Sequence, residues 1–128
     1  MQKVLYSFKY AIQGLKYCFC TQRNMGIHAI VGIMVILLAF TLRISLTGML
    51  FLLTAITFVM VTEILNTALE KAIDLFTSER NHLAHKAKDI AAGAVLLSSL
   101  FAVVIGLCIL GPPLWDMLSQ LLLFPGLR

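Results

Sequence analysis

Three long apolar runs, at residues 27–46, 49–69 and 90–110, constrain this chain more than any other feature. An α-helix rises about 1.5 Å per residue, so a run of about 20 residues crosses a hydrocarbon layer of about 30 Å. A soluble domain of this size would spread its apolar residues at the spacing of one buried face, with about a quarter of its residues charged. Here 60% of the 128 residues are hydrophobic and 12% are charged. The pattern predicts an all-α membrane protein with three spans in a single domain covering residues 1–128.

The flanks of the runs carry the remaining organisation. Residues 1–24 place Leu5, Phe8, Ile12, Leu15 and Phe19 at helical spacing among Lys3, Lys9, Lys16 and Arg23. This predicts an amphipathic helix lying on the membrane surface. No small-residue cleavage site follows a compact apolar core, which argues against a signal peptide. Thr47-Gly48 is expected to connect the first two spans, and Gly111-Pro112-Pro113 to end the third. Residues 114–128 then read as an interfacial tail stopped at Pro125-Gly126. Basic residues concentrate before the first span and within 70–89, at Lys71, Arg80, Lys86 and Lys88. Positive-inside logic therefore puts the N-terminus and the 70–89 loop in the cytoplasm and the C-terminus outside. The net charge of +4 lacks the interleaving of basic and aromatic residues found in nucleic-acid binders, so anionic lipid headgroups or a phosphorylated ligand suit it better.

The chemistry gathers where the second run gives way to charge. Glu63, Asn66, Thr67, Glu70 and Asp74 fall within roughly 100° of one another around a helix and form one polar stripe. A charged group deep in a membrane costs about 2.5–3.5 kcal/mol on insertion scales, so such a stripe is a functional candidate. A lone intramembrane glutamate also serves assembly when it is protonated or hydrogen-bonded, but four polar partners in register favour a site. Glu63 and Glu70 stand two turns apart, roughly 10.5 Å along the axis. That separation is too long for a shared proton and suits one group near the lipid interior and a metal-holding group nearer water. Lys88-Asp89 brings a cation and another acid to the same boundary, either to hold a phosphate or as a positive-inside anchor. His82 and His85 have metal-pair spacing but no thiolate beside them, Cys18 and Cys20 lack a second ligand pair, and His28 reads as interfacial.

The run Glu63-Ile64-Leu65-Asn66-Thr67-Ala68-Leu69-Glu70-Lys71-Ala72-Ile73-Asp74, followed by Ala87-Lys88-Asp89-Ile90-Ala91-Ala92-Gly93, closely resembles the signature of the prokaryotic diacylglycerol kinase family. These are small integral-membrane lipid kinases that include undecaprenol kinases. Ser7-Phe8-Lys9-Tyr10-Ala11, Gly14-Leu15 and Arg23-Asn24-Met25 resemble its N-terminal pattern, so the likeness covers roughly residues 3–110. It implies a surface helix plus three spans, a homotrimer with shared active sites, and a bacterial inner-membrane location. It further implies transfer of the γ-phosphoryl group of ATP, with Mg2+, to the hydroxyl of a membrane lipid, diacylglycerol or undecaprenol. Carried over by motif, Glu63 is the general base, Glu70 a magnesium ligand, and Asn66 and Asp74 shape the stripe beside the nucleotide. Lys3, Tyr10, Glu79, Arg80, Asn81, Lys88 and Asp89 correspond to nucleotide contacts. One departure stands out: Gln22 occupies the place of a second metal-binding glutamate, and Gly26 that of an arginine common in relatives. Gln22 keeps an oxygen for magnesium but loses the charge. The alternative reading is therefore a catalytically weakened relative with a regulatory or lipid-binding role.

Overall fold

A computed structural model describes residues 2–76 and 81–123 as four helices: α1 (Gln2–Thr21), α2 (Arg23–Thr41), α3 (Leu46–Phe76) and α4 (His82–Leu123). The last three are long and apolar enough to cross a membrane. α1 leaves Leu5, Phe8, Tyr10 and Ile12 exposed and buries only Cys18, where it meets the bundle through α2 and α3. A single extended residue, Gln22 (φ −101°, ψ 113°), separates α1 from α2, so the bend falls two residues earlier than the sequence suggests.

α2 also ends earlier than its apolar run. Its last turn closes with the Arg43 N–H on the Phe40 carbonyl (3.1 Å) and the Ile44 N–H on the Ala39 carbonyl (3.0 Å). This is the Schellman pattern, in which the residue after the cap turns left-handed. Arg43, at φ 53°, takes the place usually given to glycine. The connection is thus residues 42–45, and Thr47-Gly48 belongs to the first turn of α3 instead of linking the spans. Ile44 folds back onto a core of Ala39, Leu52 and Leu110 that locks this end of the bundle.

α4 departs most from expectation. It begins at His82, where the Asn81 side-chain oxygen accepts the N–H groups of Leu83 (2.8 Å) and Ala84 (3.3 Å) as an N-cap. It then runs through Gly111-Pro112-Pro113 without a stop, so 114–123 continue the helix of the third span and form no separate one. Proline removes a donor and crowds the carbonyl four residues back. Surrounding helices in a membrane protein satisfy or shield such carbonyls, which is why sequence punctuation that ends soluble helices is tolerated there.

The helices meet through small residues and one polar tie. A methyl group built on Gly32 of α2 would lie 2.9 Å from Ile56 Cγ2 of α3, so the two backbones approach closely there. Between α3 and α4, the most extensive of the contacts, the hydroxyls of Thr62 and Ser98 hydrogen-bond at 2.8 Å. Thr62 Oγ1 also lies 2.8 Å from the Phe58 carbonyl of its own helix, and whichever of the two hydroxyls donates across the pair shares its single proton with its own intrahelical bond. The tie sits one residue before Glu63 and fixes α4 against the part of α3 that matters most.

Candidate active site

The buried face of α3 is one continuous stripe that changes character along its length. Leu52, Ala55 and Val59 are buried, and the same face continues through Glu63, Asn66 and Thr67, also buried. Helical periodicity forces this: steps of three and four residues keep to one side. Glu70, two turns beyond Glu63, is half-buried, and Asp74 is exposed. The stripe therefore runs from apolar core through a buried acid to open carboxylate.

At the transition three buried polar atoms lack partners among the described residues. Glu63 is 2% exposed, and its Oε2 is buried without a hydrogen bond, as are Asn66 Oδ1 and Thr67 Oγ1. A buried polar atom left unpaired costs about 1–3 kcal/mol, so three together mark a place built for something other than this fold's own contacts. Asn66 uses its amide to donate to Glu70 Oε1 at 3.2 Å, which orients that carboxylate.

A cleft of ≈ 310 Å³ opens onto this cluster, lined by Asn24 and His28 of α2, Glu63 and Asn66 of α3, and Val95 and Ser99 of α4. Three helices thus converge on Glu63. The sequence reading missed His28, taken there for an interfacial residue, and gave Asn24 and Ser99 no role. The available signal was a lone histidine within an otherwise apolar helix; the periodicity of α3 alone says nothing of what faces it.

Further toward the end of the bundle, Lys88 donates to Asp74 Oδ1 at 2.5 Å, which joins the two motifs across α3 and α4. Asp89 pairs with His85 one turn earlier on α4 (3.2 Å) and stands in the open. Asn81 is engaged as the α4 cap. Gln22 is half-buried at the α1–α2 bend, where its amide approaches Thr21 Oγ1 (3.4 Å). Lys3 and Tyr10 stand exposed on α1 and do not line the cleft. Glu79 and Arg80 lie outside the described residues, as do 124–128.

The donor set suits a hard cation. Glu70 and Asn66 offer oxygen only, and among the described residues no three of His, Cys, Asp and Glu gather as a metal cage. Magnesium is typically bound by one or two carboxylates together with substrate phosphates, and does not require such a cage. The residues present fit that mode.

Three membrane-crossing helices, with Glu63, Asn66 and Thr67 buried where the apolar stripe of α3 turns polar, define an integral membrane protein with a candidate site at one end of its bundle. A family profile described as prokaryotic diacylglycerol kinase matches residues 9–110. The chain belongs to the prokaryotic diacylglycerol kinase family, a family of lipid kinases. It is 45% identical over 116 residues to a diacylglycerol kinase of Synechocystis sp., covering 90% of this chain and 66% of that protein. The chain thus spans just under two thirds of that relative's length. It is 35% identical over 108 residues to the undecaprenol kinase of Bacillus subtilis, covering 84% and 88% of the two chains. It is 27% identical over 102 residues to the diacylglycerol kinase of Escherichia coli, covering 80% and 84%.

Proposed function

We propose that this protein transfers the γ-phosphoryl group of ATP, with magnesium, to the hydroxyl of a membrane lipid, a diacylglycerol or undecaprenol. The observation that carries the reading is Glu63: a buried carboxylate with an unpartnered oxygen, where the apolar stripe of α3 turns polar. A lipid hydroxyl lies at that depth, whereas a nucleotide approaches from water, beyond Glu70 and Asp74.

Glu63 accepts the hydroxyl proton as the lipid oxygen bonds to the γ-phosphorus and the bond to the β-phosphate oxygen breaks, leaving ADP. Phosphoryl transfer asks for positioning and charge neutralisation more than covalent participation. Asn66 holds Glu70 in place, and Glu70 with Gln22 would hold magnesium, which would supply positive charge against the phosphates. Lys3, Tyr10, Asn81, Lys88 and Asp89, with Glu79 and Arg80, contact the nucleotide; Lys88 exchanges Asp74 for phosphate or bridges the two. A chain this small encloses a site poorly, which agrees with a homotrimer whose subunits share sites. α1 lies on the cytoplasmic face of the bacterial inner membrane.

The test is transfer of radiolabelled phosphate from ATP to diacylglycerol and to undecaprenol in mixed micelles, with and without magnesium. Magnesium-dependent labelling of either lipid is the expected result, and labelling of neither refutes the reading. Gln22 supports a second reading, a weakened relative that binds lipid without useful turnover, which retained lipid binding with no labelling would establish.

A further inference from the structure

The acid cleft is not isolated. A second, apolar cleft of ≈ 400 Å³ runs between α2, α3 and α4, past Val35, Leu52, Val103 and Leu110. The two share two residues, His28 and Ser99. Both are half-buried. Among the described residues neither side chain makes a hydrogen bond within the chain, although Ser98, its neighbour, is bonded both to the Val95 carbonyl and to Thr62. Nor does His28 pair with Glu63: the only histidine–carboxylate contact within 4.0 Å among the described residues is His85 with Asp89. A polar threshold therefore stands between an apolar groove and a buried acid, with space on the Glu63 side and two groups able to donate.

Resting on the lipid-kinase reading, we propose that His28 and Ser99 select the acceptor: they donate hydrogen bonds to ester carbonyls beside the reacting hydroxyl, so that a diacylglycerol is preferred to a polyprenol. The chemistry of the two acceptors decides this. A diacylglycerol carries two ester carbonyls next to its free hydroxyl, both acceptors. A polyprenol carries its hydroxyl on an unsaturated hydrocarbon with no other polar atom. A neutral imidazole keeps one N–H to donate, and a serine keeps its O–H. With a polyprenol in the groove both donors are left against hydrocarbon, which is the situation a hydrogen-bonding site discriminates against most strongly. With a diacylglycerol the tails follow the groove, the carbonyls meet the threshold and the hydroxyl reaches Glu63.

The experiment compares the full-length protein with His28→Phe, His28→Asn and Ser99→Ala in mixed micelles, measuring kcat and KM for dioleoylglycerol, for undecaprenol and for ATP. The wild type is expected to favour dioleoylglycerol. His28→Phe and Ser99→Ala should each raise its KM by about three- to tenfold, the worth of one hydrogen bond. The KM for ATP should stay put, and that for undecaprenol should fall, because each change removes a donor that a polyprenol leaves unpaired. His28→Asn, which keeps a donor, should recover part of the preference. Equal losses on both acceptors, a change confined to kcat or to ATP, or a wild type that favours undecaprenol would overturn the proposal. Should His28→Phe fail to fold, Ser99→Ala decides alone, since it removes only a hydroxyl. Phosphorylation of neither lipid by the wild type would sink the kinase reading and this inference with it. An active wild type with an unmoved preference sinks the inference alone.

Discussion

Glu63 continues the face of α3 that begins with Leu52, Ala55 and Val59, and no described residue pairs its second oxygen. Replacing it with glutamine keeps size and polarity and relieves a buried charge, so the fold should tolerate the change. The amide cannot accept the lipid proton. Glu63→Gln is therefore expected to lower kcat by about 100- to 10,000-fold, the usual worth of a general base, with circular dichroism and oligomeric state unchanged. Wild-type turnover in the purified variant would remove Glu63 from the mechanism. Gln22 poses the converse question, because a neutral amide stands where the family resemblance implies a metal-binding carboxylate. Hard cations bind charged oxygens better. Gln22→Glu should thus lower the magnesium needed for half-maximal rate at fixed ATP and lipid, and an unmoved titration curve would mean Gln22 is no metal ligand. At this scale the sequence was informative along one helix and silent across helices. The stripe from Glu63 to Asp74 follows from spacing alone. His28 and Ser99 become part of the site only when α2 and α4 pack against α3, a long-range consequence that no single-helix periodicity carries.

Among the elements, helix existence was legible and helix ends were not. Apolar runs report how long a helix must be to cross a bilayer, but its termini depend on caps and on packing. The Schellman turn at Arg43 has no glycine to announce it. The Asn81 cap starts α4 eight residues before its apolar run, and the tandem proline at 112–113 does not stop it. Contacts between elements give a sharper test. Helices in membranes associate through close packing of small residues, because lipid offers no hydrophobic drive between them. Gly32 is such a residue, with Ile56 Cγ2 2.9 Å from the place a Cβ would take, and that methyl group hangs on a branched, stiff side chain. Gly32→Val should force α2 away from α3 and cost about 1–3 kcal/mol, the usual penalty for overpacking. Unfolding by sodium dodecyl sulfate in detergent micelles would measure it. Gly14→Ala is the natural comparison: α1 leaves open space there, and alanine should be neutral or mildly stabilising. Equal behaviour of the two variants would show that the α2–α3 approach contributes nothing to stability.

For the whole molecule, the distribution of charge sets the expectation for which end of the bundle faces the cytoplasm. The acid-bearing end of α3, the start of α4 and the bend after α1 all belong to the same end of an up-and-down bundle, since each successive span reverses direction. Lys71, Lys86 and Lys88 stand at that end with Arg23, while the described residues of the other end hold Arg43 alone among Lys and Arg. Lys and Arg remain in the cytoplasm when spans insert, so the end with Glu70 and Asp74 is expected to face the compartment that contains ATP. The prediction is made with a variant in which Cys18, Cys20 and Cys108 are replaced by alanine, so that a single introduced thiol reports its own side. Lys86→Cys places it on an exposed position of α4 near the acids, and Asp116→Cys on an exposed position beyond the tandem proline. In intact cells a membrane-impermeant maleimide should label the thiol of Asp116→Cys and leave that of Lys86→Cys untouched. Permeabilising the cells should make both reactive. The reverse pattern would put the acid cluster on the outer face, where no ATP supply reaches it, and would undo the kinase reading whatever the residues of the cleft.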